Sequence, residues 1–255
     1  MTRILLPLMT LLALTFAPLA GHSAELKLEI EPGDVLDRID DLWRGDSSEG
    51  VMTMAIVTDR FSRTLKMQMW TKGKEQTLVR ILEPKKEKGV STLRNGNEMW
   101  NYLPKVKRTV KLNSSMMSKS WLGSDFTYDD FIKESRMRDD YSYEITFFGE
   151  SGGSNQIELT CVPHEDSAVV WGKVVLHVLA QDLMPTRIEY FDEDMELARV
   201  MEFSDVRMFG SRKLPGRMVV SRPDKPGQST TIDYVDLAFD IDVPDSTFSL
   251  RNLKG

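Results

Sequence analysis

The sequence predicts a mainly β protein with a small helical part: one curved, antiparallel, up-and-down sheet of about eleven strands, covered by helices. Three observations predict it. Some ten or eleven segments of period two follow one another with short connections. No helix alternates with them, so a parallel βαβ arrangement is excluded. One helical stripe stands ahead of them all.

That stripe lies in GDVLDRIDDLWRGD (33–46), where Val35, Leu36, Ile39, Leu42 and Trp43 share one helical face. Asp34 is placed to cap the helix, Asp37 puts negative charge in its first turn, and Gly45 suits its end. The period then changes to two. Met52, Met54 and Ile56 alternate with Thr53 and Ala55, and Leu65, Met67 and Met69 with Lys66 and Gln68. Val79 and Ile81 face away from Leu78, Arg80 and Leu82. STLR and EMWNYL flank Asn95-Gly96, a strong hairpin signal. YEITFFGE, NQIELTCV, GKVVLHVLA, PTRIEYFD, ELARVMEFSDV, GRMVVSR and STTIDYVDL complete the series, with SGGSN (151–155) and RPDKPGQ (222–228) as turns. Residues 113–138 break the rhythm and predict an ordered excursion with a short helix near Tyr128–Glu134.

Residues 1–24 have the order of a cleavable export signal: Arg3, an apolar run from Ile4 to Ala20, then small residues around Ser23 and Ala24. The expected mature chain, 25–255, is one exported domain. Loss of Arg3, the one charged residue of the leader, takes the net charge from −6 to −7, which disfavours nucleic acid as a partner. A single cysteine, Cys161, allows no internal disulfide and reads as a buried strand residue.

Motifs for chemistry are missing. His164 and His177 have no metal-ligand spacing, and no nucleophile elbow, phosphate loop or dinucleotide fingerprint occurs, so neither cofactor, metal nor catalysis is expected. FDEDMEL (191–197) reads as a solvated hairpin turn rather than a calcium loop. In WLGSDFTYDDF (121–131), Asp125, Asp129 and Asp130 read as turn and helix-start residues, although a carboxylate pair at Asp125 and Asp130 would be needed by a hydrolase. Methionine is abundant instead: of 15, 13 remain once Met1 and Met9 leave. Flexible thioethers beside aromatic residues suit a cavity for varied apolar guests. The wall candidates are Met67, Met69, Trp70, Trp100 and Tyr102, with the proviso that Met69 and Trp70 face opposite ways unless a bulge intervenes. The lid candidates are Met116, Met117, Trp121, Leu122, Phe126 and Phe131.

RILEPKKEKGVSTLRNGNEMWNYLPKVKRTVKL, running into MMSKSWLGSDFTYDDF, resembles the signature of the LolA-like outer-membrane lipoprotein-sorting family, with Glu83-Pro84, Lys88-Gly89, Met99-Trp100, Tyr102-Leu103-Pro104 and Gly123–Phe126 at the matching places. The resemblance implies a half-barrel of about eleven strands closed by helices around a hydrophobic cavity. It also implies carriage of a lipid or a lipid-anchored protein, with transient membrane contact. It places the protein in the periplasm, with an inner-membrane transporter of the RND type as a possible partner, and a monomer is expected. The basic run KVKRTVK (105–111) offers Lys105, Lys107 and Arg108 for docking on such a partner or on anionic headgroups, and is otherwise the solvated face of a strand. An accessory subunit of such a transporter, carrying nothing, is the alternative.

Overall fold

The computed structural model describes residues 30–130, 137–167 and 169–255; the leader and Phe131 lie outside the described residues. Thirteen strands form one antiparallel sheet. They are β1 (Ser47–Val57), β2 (Ser62–Lys72), β3 (Gln76–Glu83), β4 (Ser91–Asn95), β5 (Glu98–Leu103), β6 (Arg108–Lys111), β7 (Tyr141–Ser151), β8 (Ser154–Pro163), β9 (Lys173–Leu179), β10 (Met184–Phe191), β11 (Leu197–Phe209), β12 (Arg212–Ser221) and β13 (Ser229–Phe239). Their order, β6-β5-β4-β3-β2-β1-β13-β12-β11-β10-β9-β8-β7, is two meanders joined where the first strand meets the last. The expected topology is therefore present, with thirteen strands in place of about eleven. β6, four residues long, is too short to announce itself by alternation, whereas β4 is signalled by the Asn95-Gly96 turn that follows it.

The sheet is curled. Thr77 on β3 and Leu176 on β9 are seven strand spacings apart, about 34 Å in a flat sheet at ~4.8 Å each. Both nevertheless line one inner cavity. Register shifts interrupt the β1–β13, β2–β3, β7–β8, β9–β10 and β10–β11 pairings. Each leaves an unopposed residue that bends its strand. Pro215 is tolerated in β12 because the pairing with β13 begins only at Arg217.

Helix α1 (Pro32–Leu42) lies on the inner face and buries Val35, Leu36 and Leu42. It starts earlier than Asp34 suggests: Glu31 is the cap residue, without a side-chain bond, and Pro32 opens the helix with its φ already set. Gly45, at φ +56°, turns the chain after it, and its N–H donates to the Asp41 carbonyl at 3.2 Å. The other described α-helices, α2 (Ser114–Met117) and α3 (Met137–Asp140), are single turns, so among the described residues the helical cover is smaller than expected; most of the helix expected near Tyr128–Glu134 lies outside them.

The core is double. The main cluster fills the inner face, with Met52, Met54, Ile56, Leu65, Met67, Val79 and Ile81 meeting Leu159, Leu176, Met201 and Val220. A second cluster lies on the outer face, where Leu78 and Leu93 pack against Val243, Phe248 and Leu253 of the C-terminal segment.

Candidate apolar binding site

Alternation along the strands sets the walls of the site. Met52, Met69, Phe203, Met218, Ile232 and Tyr234 point inward from β1, β2, β11, β12 and β13, and Leu176, Ile188 and Tyr190 from β9 and β10. α1 roofs them with Leu36, Ile39 and Trp43. The Trp43 ring stands 5.4 Å from Phe203 and 6.3 Å from Tyr234. These groups enclose a cavity of about 170 Å³. Its rim is charged: Asp40 meets Lys74 at 3.0 Å and Arg44 at 3.5 Å, and Asp37 pairs with Arg138 of α3. The Trp43 indole Nε1, buried in the wall, has no hydrogen-bond partner among the described residues.

Residues 118–130 cover the inner face from the β6 side. The cover is a small hairpin, with a bridge between Ser120 and Thr127 and a 2.7 Å bond from the Trp121 N–H to the Phe126 carbonyl. Leu122 and Gly123 make its tip in the left-handed region, at φ +53° and +74°. Polar tethers hold it to the sheet. The Trp121 indole N–H donates to Thr92 at 3.1 Å, Asn101 donates to the Tyr128 hydroxyl at 2.7 Å, and the Thr230 hydroxyl donates to Asp125 at 2.7 Å. Thr127 and Asp130 bond reciprocally, with the Thr127 N–H on the Asp130 carboxylate (2.7 Å) and the Asp130 N–H on the Thr127 hydroxyl (3.3 Å). That is a capping box written with Asp.

Asp130 also accepts from Arg199 at 2.9 and 3.0 Å. Arg199 is 4 % exposed on β11. Its guanidinium lies 4.1 Å from the Tyr190 ring centre and 4.7 Å from that of Trp171. A planar, weakly hydrated cation tolerates such a place when a carboxylate completes it. Asp125 and Asp130 thus do more than shape a turn and start a helix: they tie the cover down.

The structure divides the predicted residues into groups. Met69, Trp121 and Phe126 line the cavity. Met67 points the same way but is fully buried in the core beneath it, and Leu122 packs on that core. Trp70, Trp100 and Tyr102 belong to the opposite face and pack on the second cluster. One row across the sheet explains them: Trp70 pairs with Leu78, Leu78 with Leu93, and Leu93 with Trp100. No bulge intervenes at Met69–Trp70, so strand parity sends Trp70 outward. Met116 and Met117 are half-buried on α2, outside the cavity lining. Lys105, Lys107 and Arg108 are exposed at the turn into β6. Trp43 and the wall of β10–β13 were missed; the helical stripe and the inward parity of Ile232 and Tyr234 are the signals that could have found them. His177 faces outward between Glu158 and Glu189, at 3.9 and 3.5 Å. Among the described residues no group of three His, Cys, Asp or Glu side chains could hold a metal.

Residues 73–255 match a family model described as "-like: Uncharacterized protein", well over half of the chain. The chain belongs to that family, and its fold is LolA-like. A crystal structure of a DUF1329 family protein from Desulfovibrio piger has TM-score 0.77 and 22% identity over 87% of this chain and 97% of that one. A LolA superfamily protein from Nitrosomonas europaea has 0.73 and 21%, over 88% and 99%. A domain from Vibrio parahaemolyticus, described in terms of outer-membrane lipoprotein sorting, has 0.73 and 20%, over 88% and 100%. At these identities the likeness is one of fold. No curated protein matches the chain.

Proposed function

We propose that this LolA-like protein is a periplasmic carrier that shields the acyl chain of a lipid or lipid-modified protein and hands it on toward the outer membrane without catalysis. The observation that carries this reading is the apolar hollow between α1, the cover and the inner face of the sheet. The fold it shares with the lipoprotein-sorting domain supports it.

Size decides how a guest would enter. About 170 Å³ is close to the roughly 150 Å³ of an engineered apolar cavity that admits benzene, and below the roughly 300 Å³ where ligand pockets begin. A short alkyl segment fits; a full acyl chain requires Trp121 and Phe126 to withdraw. At about 0.8 kcal/mol per buried methylene, a sixteen-carbon chain gains on the order of 12 kcal/mol relative to water. Withdrawing Trp121 and Phe126 breaks hydrogen bonds worth about 1–3 kcal/mol each and leaves the Asp130–Arg199 pair in place, so a long chain outweighs them and a short one does not. A membrane is as apolar as the hollow, so the direction of transfer falls to the donor and acceptor. The absence of catalysis is supported by the occupation of Asp125 with Thr230 and of Asp130 with Arg199.

The test is titration with a fluorescent long-chain fatty-acid analogue, together with native mass spectrometry of protein from the periplasm. Saturable one-to-one uptake is expected. Met69→Trp, which fills the hollow from a half-buried wall position, is expected to weaken uptake at least ten-fold with the melting temperature within a few degrees of wild type. Protein that is always recovered empty and takes up no chain would sink the carrier reading.

A further inference from the structure

The turns at one end of the N-terminal half of the sheet carry a second surface, which takes in the basic residues Lys105, Lys107 and Arg108. Turn 58–61 joins β1 to β2, turn 84–90 joins β3 to β4, and the short 3-10 turn Pro104–Val106 joins β5 to β6. Antiparallel order brings all three to the same end. They are contiguous: Arg63 bonds Glu87 at 3.1 Å, and a Cβ on Gly89 would lie 3.6 Å from the Pro104 ring. The tip of the cover joins them, because Arg63 also donates to the Leu122 carbonyl and a Cβ on Gly123 would lie 3.6 Å from the Phe61 ring.

Two properties coincide there. Large apolar side chains stand in water, with Phe61 43 % and Val106 59 % exposed and Leu103 close to them in exposure. Cations surround them: Arg60, Lys85, Lys86, Lys88, Lys105, Lys107 and Arg108 are exposed, against Asp59, Glu83 and the half-buried Glu87. Lys85, Lys88, Lys105, Lys107 and Arg108 make no ion pair among the described residues. In a chain of net charge −6, this is a local reversal of sign. The acids of the β10–β11 turn at the same end, Asp192 to Glu196, belong to the other half of the sheet, and Asp224 in the turn between β12 and β13 is paired with Arg222 at 3.1 Å.

We infer that this end of the sheet, with Phe61, Leu103 and Val106 as shallow apolar anchors among Lys105, Lys107 and Arg108, docks the protein on an anionic phospholipid bilayer. Exposed apolar groups ringed by lysine and arginine match the acyl boundary and the headgroup charge of such a surface, whereas a neutral surface would leave the cations unsatisfied. Docking brings the Leu122–Gly123 tip of the cover to the lipid. The inference deepens the carrier reading by naming the surface that meets the membrane, and its readout is independent of cargo.

The experiment is cosedimentation of the full mature protein with phosphatidylethanolamine vesicles containing one quarter phosphatidylglycerol, and with pure phosphatidylcholine vesicles. Binding to the first alone is expected, falling at least ten-fold between 50 and 300 mM salt. Each cation removed near the surface lowers partitioning about five-fold, so the triple reversal of Lys105, Lys107 and Arg108 to Glu lowers it about 100-fold or more. Phe61→Ser with Val106→Ser lowers it several-fold. Both variants are expected to keep the wild-type melting temperature and uptake of the fatty-acid analogue in solution. Equal binding to both vesicles, no binding to either, or binding that ignores these substitutions would overturn the inference. So would loss of a transporter pull-down in the triple variant without any vesicle binding by the wild type, which would assign the patch to a protein partner. Loss of analogue uptake by the wild type would leave bilayer docking standing and remove only the carrier reading.

Discussion

Arg199 and Asp130 are the most consequential pair of single residues. A buried guanidinium between two aromatic rings is tolerable only while its carboxylate stays. Asp130→Asn is therefore expected to cost roughly 3–5 kcal/mol where the pair is broken, and to speed hydrogen exchange across residues 118–130 before the sheet. Unchanged protection there would show that the cover does not depend on the pair. Cys161 is a different case. Burial in the main core pushes its thiol up to about 12, and burial, followed by the neighbouring Cys161 and Asp140, raises the Tyr141 phenol as well. Both groups are neutral in the folded state and ionise more readily when unfolded. Their contribution is complete below the unfolded values and is lost as pH rises toward the folded ones. Stability is expected to fall above about pH 9, by about 1.4 kcal/mol per pH unit for each ionising group, and Cys161→Val is expected to flatten that fall. Below pH 9 iodoacetamide is expected to modify Cys161 only after unfolding; rapid labelling of the native protein would contradict its burial.

At the scale of elements, the end of α1 is tied to the sheet by one arginine. Arg212, at the start of β12, donates to the Asp41 carbonyl and carboxylate at 2.9 Å and to Asp240 at 2.9 Å, while Asp240 accepts from the Asp46 N–H at 3.0 Å. The Asp46 N–H and then Arg212 hold the Asp240 carboxyl below its ordinary value. Such a group stabilises above its unfolded pKa, near 3.8, and the stabilisation is lost as pH falls through the lower folded one. Arg212→Ala is expected to loosen α1 in hydrogen exchange and to lower fatty-acid uptake while β-sheet circular dichroism is retained. The C-terminal segment is the matching element on the outer face. Phe248→Ala is expected to cost about 3–5 kcal/mol of stability, because it empties the second core. It is expected to leave uptake of the analogue intact, because that core lies across the sheet from the hollow; a parallel loss of uptake would mean that the two faces are coupled.

For the whole molecule, the helical stripe of Val35 to Trp43, the period-two runs and the turns at Gly152-Gly153 and 222–228 were legible because side-chain periodicity and turn chemistry are local properties. That Met52 shares a face with Met54, and Met67 with Met69, was legible for the same reason. Which face the row of Trp70, Trp100 and Tyr102 belongs to was not, since parity says only that two residues share a side, and the C-terminal segment covering that row is some 150 residues away in the chain. The partners of Asp125 and Asp130, Thr230 and Arg199, are similarly remote. Sequence alone determined the strand succession, the methionine doublets on common faces and the family signature, all of which follow from neighbours along the chain. Tertiary structure decided which aromatics enclose the hollow, what holds its cover and how large it is, because those depend on the curl of thirteen strands and on contacts between residues that only folding brings together.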